Sequence, residues 1–185
     1  ELPYELTEDQ KTTVDSIMNA KHRINALVQG DVSCGKTIVA IIAMFLCVEN
    51  GYQSILMAPK KILAMQHYNE IKEYADKQGY SVVYLRAGMS EKEKKSAREM
   101  ISNGTANIIV GTHSCLNYDY KKLGLVVVDE EHIFGAKQKE AFNQKAESGI
   151  HFISMSATPI PRTIASAIYG ESKEIIQIKS MPKGR

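Results

Sequence analysis

Two short segments of the chain carry most of the side chains whose types and spacing could do chemistry. Residues 30–37 read GDVSCGKT and match the spacing GxxxxGK[ST]. Residues 129–132 read DEEH and follow the apolar run LVVV at 125–128 directly. Backbone N–H groups of a glycine-rich loop can surround phosphate oxygens, and a nearby carboxylate suits Mg²⁺, which takes oxygen ligands. The two segments therefore predict a site for ATP and Mg²⁺.

The first segment is predicted to be a phosphate-binding loop between a strand and a helix. Lys36 would reach the β- and γ-phosphates, and the Thr37 hydroxyl would ligate Mg²⁺. The helix that follows would add the positive end of its dipole. The alternative is a chance match in an ordinary strand-to-helix turn. The predicted nucleotide-binding residues of this loop are Gly30, Asp31, Val32, Ser33, Cys34, Gly35, Lys36 and Thr37.

The acidic segment is predicted to complete the catalytic set. Asp129 would hold Mg²⁺, directly or through water, and Glu130 would orient and deprotonate the attacking water. With Lys36, these two acids are the candidate catalytic residues. The alternative is that the acids begin a helix, where the dipole favours carboxylates, and this explanation suits Glu131 well.

The elements that would position these residues are visible as apolar runs. Such runs are typical of strands buried on both faces of a parallel sheet. Segments with helical spacing lie between them, as in Ile62, Met65, Tyr68, Ile71 and Tyr74. This alternation predicts an α/β fold with a central, mainly parallel sheet and ligands at the carboxyl ends of its strands. The predicted strands are 24–29, 54–58, 81–85, 107–110, 125–128, 151–155 and 174–178.

Length and composition fit one globular domain. The 185 residues are 44% hydrophobic and 24% charged, which argues against disorder and fibrous structure. The longest apolar stretch, 37–48, is too short for a membrane span and is expected to be a buried helix. Three cysteines without CxxC spacing indicate neither a disulfide framework nor a zinc site, so we expect a cytoplasmic protein. The missing initiator methionine suggests a piece of a longer polypeptide.

The order of the motifs carries a family resemblance. GDVSCGKT, DEEH and MSATPIPRT (155–163) resemble motifs I, II and III of superfamily 2 helicases. With LTEDQ, MAPKKILAMQHY (57–68), VGTHSCL (110–116) and MPKGR, the chain resembles the RecG family of DNA helicases and, as a close relative, transcription-repair coupling factors. The resemblance covers almost the whole chain.

The resemblance implies a three-layer RecA-like P-loop NTPase domain that spans residues 1–185. It would be the first of two motor domains of an ATP-dependent enzyme of DNA repair and recombination, acting on single-stranded or branched DNA. The second motor domain of the same chain and the DNA-recognition domain would lie outside these residues. The domain alone is expected to turn over slowly, because closing the two domains completes the site.

The resemblance also assigns roles around the nucleotide. Gln10 would read adenine, although Thr7 and Gln10 also have the spacing of a helix capping box. His132 would couple the γ-phosphate to motif III, which contributes Ser156, Ala157 and Thr158. Alternatively, His132 is a partly exposed histidine at a helix start, and Ser156 and Thr158 are turn formers before a proline.

A third set of residues corresponds to segments that contact the phosphate backbone of one DNA strand in such helicases. The competing interpretation of residues 57–68 is an amphipathic helix with a solvated basic start, so contact is expected only at the loop end. Lys60 and Ile133 differ from the residues usual in the family. The segments supply Pro59, Lys60, Gln66, Gly111, Thr112 and His113.

Two other classes of function remain open from the sequence. A P-loop phosphotransferase acting on a small molecule would need an arginine-rich lid, which is not apparent between the motifs. A nucleotide-gated binding module would not need Glu130 and Lys36 together. An ATP-driven DNA motor accounts for both segments.

Overall fold

A seven-stranded parallel sheet forms the centre of the protein. The computed structural model describes residues 6–18, 24–31, 35–130, 136–144, 149–158 and 174–178. The sheet order is β3-β4-β2-β5-β6-β1-β7, and every pair of neighbouring strands described is parallel. The strands are β1 (Asn25–Gly30), β2 (Gln53–Met57), β3 (Val82–Leu85), β4 (Ile108–Gly111), β5 (Leu123–Asp129), β6 (His151–Ser156) and β7 (Glu174–Ile178).

Helices cover both faces of this sheet. Alternate residues of β5 point to opposite faces: Leu125 and Val127 join a core cluster with α1, α2 and α3, whereas Val126 and Val128 join a second cluster with α4 and α5. These two cores confirm the predicted three-layer α/β architecture. The helices are α1 (Glu8–Met18), α2 (Lys36–Glu49), α3 (Lys61–Gln78), α4 (Glu91–Asn103) and α5 (Ala136–Asn143), with a short 3-10 helix at His113–Asn117.

The predicted elements are present with small shifts at their ends. All seven predicted strands are observed, and the apolar stretch 37–48 is the buried helix α2. Within the described ranges, no helix is both long and apolar enough to cross a membrane.

The buried face of α3 differs from the expected one. The apolar spacing begins with Ile62 and Met65, but these side chains are 68% and 48% exposed. Small side chains let a helix approach a sheet closely, so the alanines lie inward and the large residues of the first turns lie outside. The buried residues of α3 are Ala64, His67, Ile71 and Ala75.

Candidate nucleotide site

The phosphate loop and the acidic segment both begin at the carboxyl ends of strands in the sheet. Strand β6 lies between β5, which ends at Asp129, and β1, which ends at Gly30. Asp129 and Val28 both pair with Met155, so β5 ends level with Val28, two residues before the end of β1. Neighbouring strands lie about 5 Å apart, so Asp129 lies about 10 Å from Val28, on the other side of β6. The two segments therefore begin at the same end of the sheet, on either side of β6.

Lys36 at the end of the phosphate loop bonds to the backbone at the start of the loop. Lys36 is buried, and its Nζ donates hydrogen bonds to the carbonyl oxygens of Gly30 and Asp31, both at 2.7 Å. Gly35, at the N-cap of α2, has φ 77° and ψ 34°, a left-handed conformation that favours glycine. The half-buried Thr37 follows in the first turn. Val32, Ser33 and Cys34 lie outside the described residues.

Gln10 is completely buried and connects α1 to this loop. The side-chain Oε1 of Gln10 accepts a hydrogen bond from the backbone N–H of Thr7 at 2.9 Å, and the backbone N–H of Gln10 donates to Thr7 Oγ1 at 3.3 Å. These reciprocal bonds form the capping box that was one of the two interpretations. The side-chain nitrogen also donates to the Gly35 carbonyl at 3.4 Å. Both ends of the amide therefore bind protein groups, and adenine reading stays a prediction.

Asp129 is held by a histidine that the sequence interpretation missed. His67 Nε2 lies 2.8 Å from Asp129 Oδ2, and the two side chains are 11% and 15% exposed. The signal available in the sequence was a polar residue three positions after Ala64 and four before Ile71, inside the helical repeat. That spacing places His67 on the face that packs against the sheet.

Glu130 has an uncommon backbone conformation. Its φ of 56° is left-handed, the only such value at a non-glycine residue among those described. Its N–H donates to the Met155 carbonyl at 2.9 Å, which extends the contact between β5 and β6 by one residue. A left-handed non-glycine residue costs on the order of 1 kcal/mol, and such strain is concentrated at functional sites.

Motif III ends β6 as a tight turn. The Thr158 N–H donates to Ser156 Oγ at 3.2 Å, and the Ser156 hydroxyl donates to the Thr158 carbonyl at 3.4 Å. Ser156 is buried, whereas Ala157 is half-buried and Thr158 is exposed. Ser156 and Thr158 therefore form a turn, and the coupling role of Ser156, Ala157 and Thr158 stays a prediction. His132, like Glu131 and Ile133, lies outside the described residues, so its coupling role stays a prediction.

The segments expected to contact DNA adjoin the acidic segment. A shallow depression is lined by Pro59, His113, Asp129 and Glu130 together with neighbouring apolar residues. The Ala58 N–H donates to the Gly111 carbonyl at 2.9 Å, which joins the two segments. Lys60, Gln66 and His113 are exposed, and Pro59 and Thr112 are half-buried.

Gly111 also has a packing role. A Cβ at this position would lie 2.9 Å from both Cys115 Sγ and the Leu85 carbonyl oxygen. The backbone at the end of β4 therefore has no room for a side chain. Burial raises the pKa of the Cys115 thiol to about 12, so this sulfur is a packing group.

The donor set fits magnesium and a nucleotide. Oxygen donors are present in Thr37 and Asp129, and Mg²⁺ needs few protein carboxylates because it keeps several waters. Among the described residues, no group of three or more His, Cys, Asp and Glu side chains gathers to hold a metal ion. The loop of Gly30, Gly35 and Lys36 supplies the charge and the helix N-terminus that phosphate needs.

Comparison with known proteins agrees with this geometry. The RecG helicases of Borreliella burgdorferi and Aquifex aeolicus are 42% and 39% identical over all of this chain, which spans only 27% and 24% of their lengths. The solved structure of RecG bound to a three-way DNA junction superposes with a TM-score of 0.86 at 36% identity, covering all of this chain and 25% of that one.

More distant structures share the fold alone. Mss116p bound to single-stranded RNA and AMP-PNP superposes with a TM-score of 0.70 at 18% identity, covering 96% of this chain and 40% of that one.

The family model of the DEAD/DEAH box helicases matches residues 7–167, most of the chain. With its phosphate loop and acidic strand end brought to one edge of a parallel sheet, the chain belongs to the DEAD/DEAH box helicase family.

Proposed function

We propose that the chain is the first motor domain of a RecG-type, ATP-dependent DNA helicase, and that it binds and hydrolyses ATP with Mg²⁺. The observation that carries the proposal is the placement of the loop after β1 and of Asp129 at the end of β5, on either side of β6. The RecG name of the relatives at 39–42% identity supports it.

Each residue of the site has a task in this proposal. The backbone of the loop and Lys36 bind the phosphates, while Thr37 and Asp129 hold the magnesium. When bound, Mg²⁺ neutralises charge on the phosphate oxygens. Glu130 takes a proton from the attacking water, and its left-handed backbone turns the chain out of the β5 direction at that point.

The same edge of the sheet would carry the DNA. Pro59, Lys60, Gly111, Thr112 and His113 end or follow β2 and β4, next to Asp129 and Glu130. Backbone groups and short polar side chains there can grip phosphates without reading bases. A second motor domain of the same polypeptide would close over the nucleotide. The cytoplasmic location expected from the cysteine content is part of the same proposal.

The test is the ATPase rate of the full-length protein with and without branched DNA. Glu130→Gln should retain binding of a fluorescent ATP analogue while turnover falls about 100-fold or more, because a positioned general base contributes roughly 10²–10⁴-fold. Glu140→Gln is the matched control. Glu140 is exposed on α5, so the ATPase rate of this variant should equal that of the unmodified protein.

Three results would contradict parts of the proposal. An ATPase rate that does not change when DNA is added would contradict the proposal that the protein is a DNA motor. Turnover that survives Glu130→Gln rejects the assignment of the base. Nucleotide binding without any turnover in the unmodified protein favours a nucleotide-gated binding module instead.

A further inference from the structure

His67 is a buried polar side chain to which the proposed function gives no role. It lies two turns into α3, on the face formed with Ala64, Ile71 and Ala75. A polar ring placed among apolar groups costs free energy unless it is hydrogen-bonded. Its bond to Asp129, 62 positions away in the chain, meets that requirement.

The partner of this bond is the carboxylate assigned to magnesium. A carboxylate oxygen is the natural acceptor in this pair, which assigns the donor role to His67 Nε2. Both side chains are mostly buried, where water competes little with the bond. Because the ring is fixed on a helix that packs against the sheet, the bond restricts rotation of the carboxylate.

We propose that His67 is a positioning residue that holds the Asp129 carboxylate in the orientation that receives magnesium. This inference rests on the proposed function. Groups that hydrogen-bond a ligating carboxylate orient it, and losing such a group typically weakens metal affinity about 10- to 100-fold. In this proposal His67 acts through Asp129 and takes no part in the reaction itself.

The experiment measures nucleotide binding to the full-length protein rather than turnover. A fluorescent ATP analogue is titrated at a series of Mg²⁺ concentrations and again in excess EDTA. His67→Leu should raise the Mg²⁺ concentration for half-maximal binding about 10- to 100-fold while leaving binding in EDTA unchanged. His67→Gln places an amide N–H near the position of Nε2 and should restore much of the loss.

The matched control is Asn69→Ala. Asn69 is exposed on the same helix and should leave the Mg²⁺ dependence as in the unmodified protein. Should the leucine variant fail to fold, His67→Asn gives the same comparison, because its shorter amide does not reach Asp129.

Two outcomes overturn the inference by itself. One is an unchanged Mg²⁺ dependence in His67→Leu, or in His67→Asn where that variant replaces it. The other is equal weakening of binding with and without Mg²⁺, since this indicates a purely structural role. If the unmodified protein binds no nucleotide at any Mg²⁺ concentration, the proposed function fails, and this inference fails with it.

Discussion

Replacing Gly35 by alanine tests how tightly the phosphate loop packs against α1. Gly35 has φ 77°, and an added Cβ would lie 2.3 Å from the side-chain nitrogen of Gln10. That nitrogen ends a flexible side chain, but Gln10 is completely buried and its oxygen is already bonded to Thr7. The side chain therefore cannot move aside without losing hydrogen bonds.

The expected loss of stability has two parts. A left-handed conformation costs a non-glycine residue roughly 1–2 kcal/mol. Displacing the Gln10 amide leaves buried polar groups without partners, which costs about 1–3 kcal/mol. The sum for Gly35→Ala is about 2–5 kcal/mol. In a domain of 185 residues each kcal/mol lowers the melting temperature by roughly 2–4 °C.

Urea unfolding without nucleotide measures this loss, and Gly79→Ala is the matched control. Gly79 ends α3 with φ 74°, and no atom lies within 4 Å of its added Cβ. Gly79→Ala should therefore lose only the cost of the left-handed backbone, about 1–2 kcal/mol. In a background that already carries Gln10→Ala, the Gly35→Ala cost should fall to the same value, because the obstructing amide is gone.

Equal losses in Gly35→Ala and Gly79→Ala, within about 0.5 kcal/mol, would refute the reasoning. Strict additivity of Gly35→Ala and Gln10→Ala would refute it as well. Either result means that Gln10 does not occupy the space beside Gly35.

Two further predictions concern the side chain of Gln53 and the cysteine thiols. Gln53 is buried and donates to the carbonyls of Ile101 and Ala106 while accepting two backbone N–H groups, so Gln53→Leu should cost about 3–5 kcal/mol in urea unfolding. The exposed Gln78→Leu should cost under about 0.5 kcal/mol, and similar losses would contradict the assignment. Burial raises the pKa of Cys47 and Cys115 from 9.0 to about 12, so their contribution to stability is complete below pH 9.0 and is lost as pH rises toward 12. At pH 8 a thiol reagent should label the completely buried Cys115 only after unfolding, and rapid labelling of Cys115 in the native protein would contradict this.

The sheet was predictable because parallel strands buried on both faces appear as continuous apolar runs. The helix α3 was harder, since apolar residues at helical spacing lie on more than one of its faces. Ile62 and Met65 fit the period but lie outside, because the small Ala64 and Ala75 permit closer contact with the sheet. The spacing of apolar residues shows which faces of a helix are hydrophobic, but it does not show which of them can pack closely against the sheet.

Spacing along the chain also predicted the phosphate loop and the acidic segment. Two contacts of that site were not predictable in this way. Gln10 belongs to the capping box, as one of its two sequence interpretations predicted, and it also donates to the Gly35 carbonyl, which neither interpretation included. His67 reaches Asp129 across 62 positions. Both depend on the side-chain directions of packed helices, which local sequence does not contain.

The place of β1 in the sheet has a consequence for the order of folding. Asn25 pairs with Phe152, 127 positions later, and Ala26 pairs with Glu174. During synthesis β1 therefore emerges early and waits for both of its neighbours, whereas β2, β3, β4 and β5 can pair first. Pairing across such long separations is slow because loop closure must come before any gain. We therefore expect the strand that carries the phosphate loop to be paired on both sides only after β6 and β7 have formed, so that the proposed nucleotide site would be completed late in folding.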